Sequence, residues 1–247
     1  MFTRLLVGLD GSPRSDAAFE QALLLARRFG ATVIAAYVRE PGRPDEDGHM
    51  LARAQERSVE VGVPFEAVEK EGDPDVTLAE LARGADAVLV GRRGVVTTDD
   101  ALGPTVASLI RIAQASVIVC GGTPSPMKQC AVAYDGRDTA KRALELAARF
   151  STTGESTVHI IHAAADRDAG LAVVGEAEAL LSMLRVPFVT HLETGRPGEV
   201  VARVVARTKC DALFAGAHVP RERVSVPTAS HAEEILRNTD IPVVIQP

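Results

Sequence analysis

Apolar residues fall along the chain in short solid runs separated by longer stretches of helical spacing. Leu5-Leu-Val-Gly-Leu9 is such a run, ending on Asp10, and Gly11-Ser-Pro-Arg14 turns into a stretch from Ser15 to Phe29 with apolar residues at Ala18, Phe19, Ala22, Leu23 and Ala26. A run apolar on both faces predicts a buried strand, and the i, i+3, i+4 spacing predicts a helix, closed here by Gly30. The alternation continues through a strand at Thr32 to Val38, the Pro/Gly-rich link Pro41-Gly-Arg-Pro44, a polar-faced helix from Asp45 to Val61, and a strand from Val63 to Val68. Gly72-Asp-Pro74 opens a short helix to Gly84, Ala87 to Val90 is a strand, a helix runs from Pro104 to Gln114, and Val117-Ile-Val-Cys120 is a strand. Strands separated by helices in this way predict a doubly wound parallel sheet of five strands.

The pattern then repeats. Ala131-Val-Ala-Tyr-Asp135-Gly matches Leu6-Val-Gly-Leu-Asp10-Gly, Ala143 to Phe150 matches Ala22 to Phe29, and Gly195-Arg-Pro-Gly-Glu-Val echoes Gly72-Asp-Pro-Asp-Val. Asp211 to Gly216 lies 125 positions after Asp86 to Gly91, and Ile235-Leu-Arg echoes Leu109-Ile-Arg. A register kept over these landmarks predicts two copies of one α/β domain, residues 1–122 and 127–247, joined by the proline-stiffened Gly121-Gly-Thr-Pro-Ser-Pro126.

Candidate chemistry centres on the strand ending at Gly91 and the loop after it. Gly91, Gly94 and Gly103 permit close backbone approach, and Pro104 suits the first position of a helix, so the stretch outlines an anion cradle. It is neither a Walker A loop nor the G-x-G-x-x-G of dinucleotide folds, and the plain alternative is an ordinary strand-to-helix connection. Arg92 and Arg93 read first as solvated loop charge and second as phosphate partners; Asp99 and Asp100 would repel a triphosphate unless Mg²⁺ intervened or they pointed to solvent.

Taken together, Asp10-Gly11-Ser12, Gly91-x-x-Gly94, Gly103 and the closing Ser108 to Val119 segment resemble the universal stress protein family, here as a tandem two-domain member. The resemblance covers almost the whole chain. It implies an adenine-nucleotide alpha-hydrolase-like fold of strand order 3-2-1-4-5 and binding of ATP, with or without Mg²⁺. By the same resemblance Asp10 would sit by the ribose or adenine and Val38 by the adenine, while Gly91, Gly94, Gly103 and Thr105 would surround the phosphates. Two departures stand out: eight residues separate Gly94 from Gly103 where the family's signature has nine, and Pro104 replaces the hydroxyl-bearing residue. The second copy has Ala-His218-Val-Pro220 after Gly216 and Ala229-Ser230 at the helix start, which predicts a degenerate site. His162, His218 and His231 would gather there near Asp135, either as a metal or anion site or as independent imidazoles.

Composition narrows the function further. With 27 Lys+Arg against 33 Asp+Glu, the net charge of -6 argues against nucleic acid or an anionic membrane as the main partner. No apolar run reaches the ~18 residues of a membrane span and the first ten residues lack a signal-peptide pattern, so a cytoplasmic protein is expected. Cys120, Cys130 and Cys210 each adjoin an apolar run and are expected to be buried thiols. Ser12 has no partnered base and there is no G-x-S-x-G elbow, so at most slow ATP hydrolysis is expected. The functional expectation is an ATP-binding stress-response regulator acting through partner or self association; the alternative is a nucleotide-free interaction scaffold. The resemblance implies pairing of fifth strands, and Val117-Ile-Val and Val243-Val-Ile are the apolar edge candidates through which the copies would pair as an intrachain pseudo-dimer, with a homodimer as the further possibility.

Overall fold

The computed structural model describes residues 2–42, 49–92, 102–152, 156–217, 235–236 and 239–247. The chain divides into two compact units, Met1–Pro126 and Met127–Pro247.

The first unit contains β1 (Arg4–Leu9), α1 (Pro13–Phe29), β2 (Thr32–Arg39), α2 (Met50–Glu60), β3 (Phe65–Glu71), α3 (Pro74–Leu81), a 3₁₀ turn (Ala82–Gly84), β4 (Ala87–Gly91), α4 (Pro104–Ile112) and β5 (Ser116–Cys120). Its strands pair in parallel in the order β3-β2-β1-β4-β5. The apolar runs explain that order, because Leu5, Leu6, Val7, Val88 and Leu89 have no exposed surface and need covering on both faces. α1 begins where Ser12 Oγ accepts the Ser15 N–H at 3.1 Å and ends at left-handed Gly30. β3 starts later than Val63, because the Val63 N–H turns back to the Ser58 carbonyl at 2.9 Å and closes α2 instead. Of the predicted helix from Asp45, the part before His49 lies outside the described residues, and α4 stops at Ile112 because Ala113 is extended.

The second unit repeats the plan with β6 (Cys130–Ala133), α5 (Asp138–Thr152), β7 (Val158–Ala163), α6 (Arg167–Met183), β8 (Phe188–Glu193), α7 (Pro197–Thr208), β9 (Ala212–Gly216) and β10 (Val243–Gln246). Its parallel order is β8-β7-β6-β9-β10. The same device ties the fourth strand to the first in each unit. Asp86 Oδ2 accepts the Thr3 and Arg4 N–H groups at 2.6 and 3.0 Å, and Asp211 accepts those of Gln129 and Lys128 at 2.7 and 3.1 Å. Cys120, Cys130 and Cys210 are buried free thiols.

The segment that leaves the first unit is clamped to α1. Fully buried Gln21 donates from Nε2 to the Ser125 carbonyl at 2.9 Å and accepts the Ser125 N–H on Oε1 at 2.7 Å. Gln21→Leu takes both bonds from buried main-chain groups and should cost about 2 kcal/mol in denaturant unfolding. Ser125→Ala should keep both Gln21 bonds and cost less than Gln21→Leu, since those bonds go to the main chain. Equal losses in the two variants would refute the clamp.

The outer edge of the second unit carries a proton-sensitive cluster. His159 Nδ1 on β7 lies 3.0 Å from His191 Nε2 on β8, with the rings stacked at 16°. Arg207 of α7 donates to His191 Nδ1 at 3.4 Å, so the neutral His191 ring donates from Nε2 to His159. Arg203 and Arg207 both engage Glu193 at 2.7 Å. Burial lowers the pKa of His159, and burial, then His159 and Arg207, lower that of His191 from the ordinary 6.5, with Glu193 opposing. A folded pKa below the unfolded one means the stabilisation is whole above 6.5 and is lost as pH falls toward the folded values. The thermal midpoint should therefore fall as pH drops below about 6.5, with a slope below one proton's ~1.4 kcal/mol per unit because both rings are part-exposed. The double variant His159→Gln/His191→Gln should flatten this fall, and an unchanged pH profile would remove the cluster from the account.

Candidate functional site

In the first unit the strand order reverses between β1, whose chain continues over to β2, and β4, which opens toward β5. Open α/β sheets present their ligand crevice at such a point, outside the carboxyl ends of the strands. Asp10 stands there. Its Oδ1 accepts both the Ser12 N–H at 3.0 Å and the Ser12 hydroxyl at 2.6 Å, across a turn in which Gly11 has φ of 76°. That pair of bonds fixes an exposed carboxylate by its Oδ1. Val38 is buried in β2, one residue beyond Tyr37, which pairs with Leu9, and the strand runs on to Arg39.

Gly91 closes β4 for a reason of packing. A Cβ at this position would lie 2.8 Å from the Arg14 carbonyl carbon and 2.9 Å from its oxygen, so α1 reaches β4 only over a glycine. Arg92, the next residue, is buried at 8% exposure, which corrects the reading of it as solvated loop charge. The strand delivers it inward, and its carbonyl accepts the Gly103 N–H at 3.2 Å, binding the end of β4 to the start of α4. Burial pushes the neighbouring Cys120 thiol up to about 12, with the Arg92 charge opposing. Gly103 is the buried N-cap of α4, Pro104 its exposed first residue, and Thr105 is half-buried behind it. Since the Gly103 N–H is engaged and Pro104 has none, the amides of Thr105 and Val106 are the orphan donors of this helix start. The structure thus gathers Asp10, Gly91, Gly103 and Thr105 at one end of the sheet and adds Arg92. Gly94, Arg93, Asp99 and Asp100 lie outside the described residues.

The second unit holds a cleft at the same end of its sheet, lined among others by Tyr134, Asp135, Thr139, His162, Val201 and Ile235. His162 Nδ1 is 2.7 Å from the Tyr134 carbonyl, and Asp135 Oδ1 accepts the Arg137 N–H at 3.1 Å beside left-handed Gly136. Burial pushes the Tyr134 hydroxyl's pKa up, with Lys141 opposing. Gly216 repeats the packing role of Gly91, as its Cβ would come within 2.7 Å of the Ala140 nitrogen. Ala217 follows it, buried, where the first unit has Arg92. His218 and His231 lie outside the described residues, and among those described no cluster of three His, Cys, Asp or Glu could hold a metal. None of the described helices is long and apolar enough to cross a membrane. Loss of the glycines predicts a degenerate second site; a cleft is lined there by the strand ends together with Thr139 and Ala140 of α5 and Pro197 and Val201 of α7. The repeat alignment of Arg92 with Ala217 was the sequence signal for the buried cation.

Comparison with known proteins agrees with this architecture. The model of the universal stress protein family matches twice, over residues 1–121 and 127–247. The universal stress protein Slr1230 of Synechocystis sp. is 25% identical over 201 residues, covering 79% of this chain and 70% of that one. Among solved structures, a universal stress protein from Archaeoglobus fulgidus superposes with a TM-score of 0.77 at 19% identity, covering 98% of this chain and 97% of its own. A putative universal stress protein from Pseudomonas aeruginosa does so with a TM-score of 0.74 at 17% identity, covering 99% and 93%. At these identities the structural likeness speaks for the fold.

Proposed function

Because the chain belongs to the universal stress protein family, as two tandem copies of its domain, we propose that its first domain binds an adenine nucleotide, ATP with or without Mg²⁺. Binding would regulate a stress response by changing how the protein meets a partner or a second copy of itself. The observation that carries this reading is the pair of opposite charges at the switch point, an exposed Asp10 carboxylate on β1 and the buried Arg92 after β4. A nucleotide has a complementary pair of ends. Ribose hydroxyls or the adenine amine donate to Asp10 Oδ2, Val38 packs at the adenine, and the phosphates take the Arg92 charge with the Thr105 and Val106 amides. Gly103 and Gly94 would border the phosphates, and Gly91 admits α1. In this arrangement the residues named bind and orient the nucleotide.

The scaffold reading draws on one specific observation. The Gly103 N–H is already engaged with Arg92 and Pro104 contributes none, so the helix start offers fewer donors than the family's signature implies. Calorimetric titration of ATP, with and without Mg²⁺, into the full chain separates the two. Saturable binding accompanied by thermal stabilisation is expected. No heat and no shift in melting would establish the nucleotide-free scaffold.

A further inference from the structure

The duplication supplies an internal standard for a solvated helix. α2 and α6 hold the same place in the two units, each linking the second strand to the third. α2 turns Arg53, Glu56, Arg57 and Glu60 to solvent, as a surface helix should. α6 does not. From Leu171 to Met183 its exposed residues are Leu171, Ala172, Gly175, Glu176, Ala179, Ser182 and Met183, with Leu171 49% and Met183 73% exposed. The one charge among them, Glu176, is held by Lys141 of α5 at 2.9 Å.

Gly175 adds an independent sign. Gly170 of the same helix is explained by packing, since a Cβ there would lie 2.7 Å from Leu192 Cδ1 and 2.8 Å from Ala164 Cβ. A Cβ on Gly175 would meet nothing within 4 Å, so nothing inside the chain requires a residue that weakens the helix. Bare backbone in the middle of an apolar face lets a second helix come close.

The face also complements itself. Leu171, Ala172 and Gly175 stand at the same distances before Ala177 as Met183, Ser182 and Ala179 stand after it. It therefore reads large, small, small, then small, small, large, and an antiparallel copy sets Leu171 of one helix beside Met183 of the other across a crossing of Gly175 and Ala179. Beyond the apolar span, Asp168 in the first turn and Arg185 just past the C-cap lie almost equally far from Ala177. Neither forms an ion pair among the described residues. The same register brings each Asp168 level with the copy's Arg185.

We propose that the outward face of α6 is a self-association surface, on which a second copy of this chain docks its own α6 antiparallel about a two-fold through Ala177. The symmetry makes the two halves of the contact identical, so both Asp168–Arg185 pairs form at once. A single helix pair falls below the roughly 1,200 Å² at which stable interfaces begin, so the dimer is reversible and depends on concentration. This rests on the proposed function only for the idea of self association; nucleotide plays no part in it, and an absence of ATP heat leaves it intact.

Sedimentation equilibrium of the full chain without nucleotide, from about 5 to 500 μM, is the test, and the mass is expected to climb from monomer to dimer across that range. Gly175→Leu fills the crossing and should raise the dissociation constant about tenfold or more. Its thermal midpoint should hold or rise, because a glycine leaves a helix interior at an exposed position. Asp168→Arg and Arg185→Asp each set like charges together and should leave monomers with the parent's melting behaviour. Mixed, the two variants should form a heterodimer, since each supplies the charge that the other lacks. A monomer at every concentration would overturn the proposal. A dimer that Gly175→Leu and the charge variants leave unchanged would place the contact elsewhere and overturn it too, as would charge variants that stay monomeric when mixed.

Discussion

Gly91→Val is expected to lower the stability of the first domain by roughly 3 kcal/mol or more, the upper range for overpacking a closed site. The neighbours that the new side chain meets are main-chain atoms of Arg14, at 2.8 and 2.9 Å from the Cβ alone, in the first turn of α1. A flexible side chain could swing away; a capped helix start, held by Ser12 and Ser15, cannot do so without losing its cap. For a domain of this size the thermal midpoint should fall by on the order of 10 °C. Gly216→Val should do the same to the second domain, because its Cβ meets Thr139 and Ala140 main chain at 2.7 Å. Differential scanning calorimetry of both variants is the check, and a midpoint within about 2 °C of the parent would mean that α1 or α5 yields freely. Loss of ATP binding in Gly91→Val would follow the unfolding, so this variant cannot serve as a probe of the phosphate cradle.

That glycine illustrates what the sequence could and could not disclose. The strands and helix starts were legible because Leu5 to Val7 and Val88 to Leu89 are apolar throughout and because the duplication offered the elements twice, while the strand order was implied by the family resemblance alone. A glycine at the end of β4 was legible as a requirement, but not its reason. Phosphate approach and helix approach both demand a missing Cβ, and the 2.8 Å distance to Arg14 shows that the helix requires it. Apolar character likewise placed Val63 in β3, whereas its N–H closes α2. Arg92 read as solvated because loop arginines usually are; its burial comes from a strand that ends by turning inward to hydrogen-bond Gly103. The second cleft was hidden for a different reason. A cleft at the carboxyl ends of parallel strands arises from the topology of the sheet, so it does not depend on the glycines whose absence predicts a degenerate site.

Arg92 is where stability and binding should part company. Arg92→Met keeps the length of the side chain and removes the charge, which relieves the desolvation cost of a buried guanidinium. The thermal midpoint of the first domain should therefore hold or rise. ATP affinity should fall roughly 30-fold, about 2 kcal/mol, the scale of a charge-assisted bond to phosphate lost from a buried site. Adenosine has no phosphate to lose and should bind the variant as it binds the parent. Calorimetric titrations of ATP, AMP and adenosine into parent and variant give the three comparisons. A folded Arg92→Met protein that binds ATP as tightly as the parent would assign the buried guanidinium to holding β4 against α4, and the phosphates would then rest on the two amides of Thr105 and Val106. A variant that melts early would point the same way, because a charge needed for packing is missed even when no ligand is present. The expected combination, unchanged melting with selective loss of the phosphorylated ligand, is produced only by a residue whose charge faces the ligand.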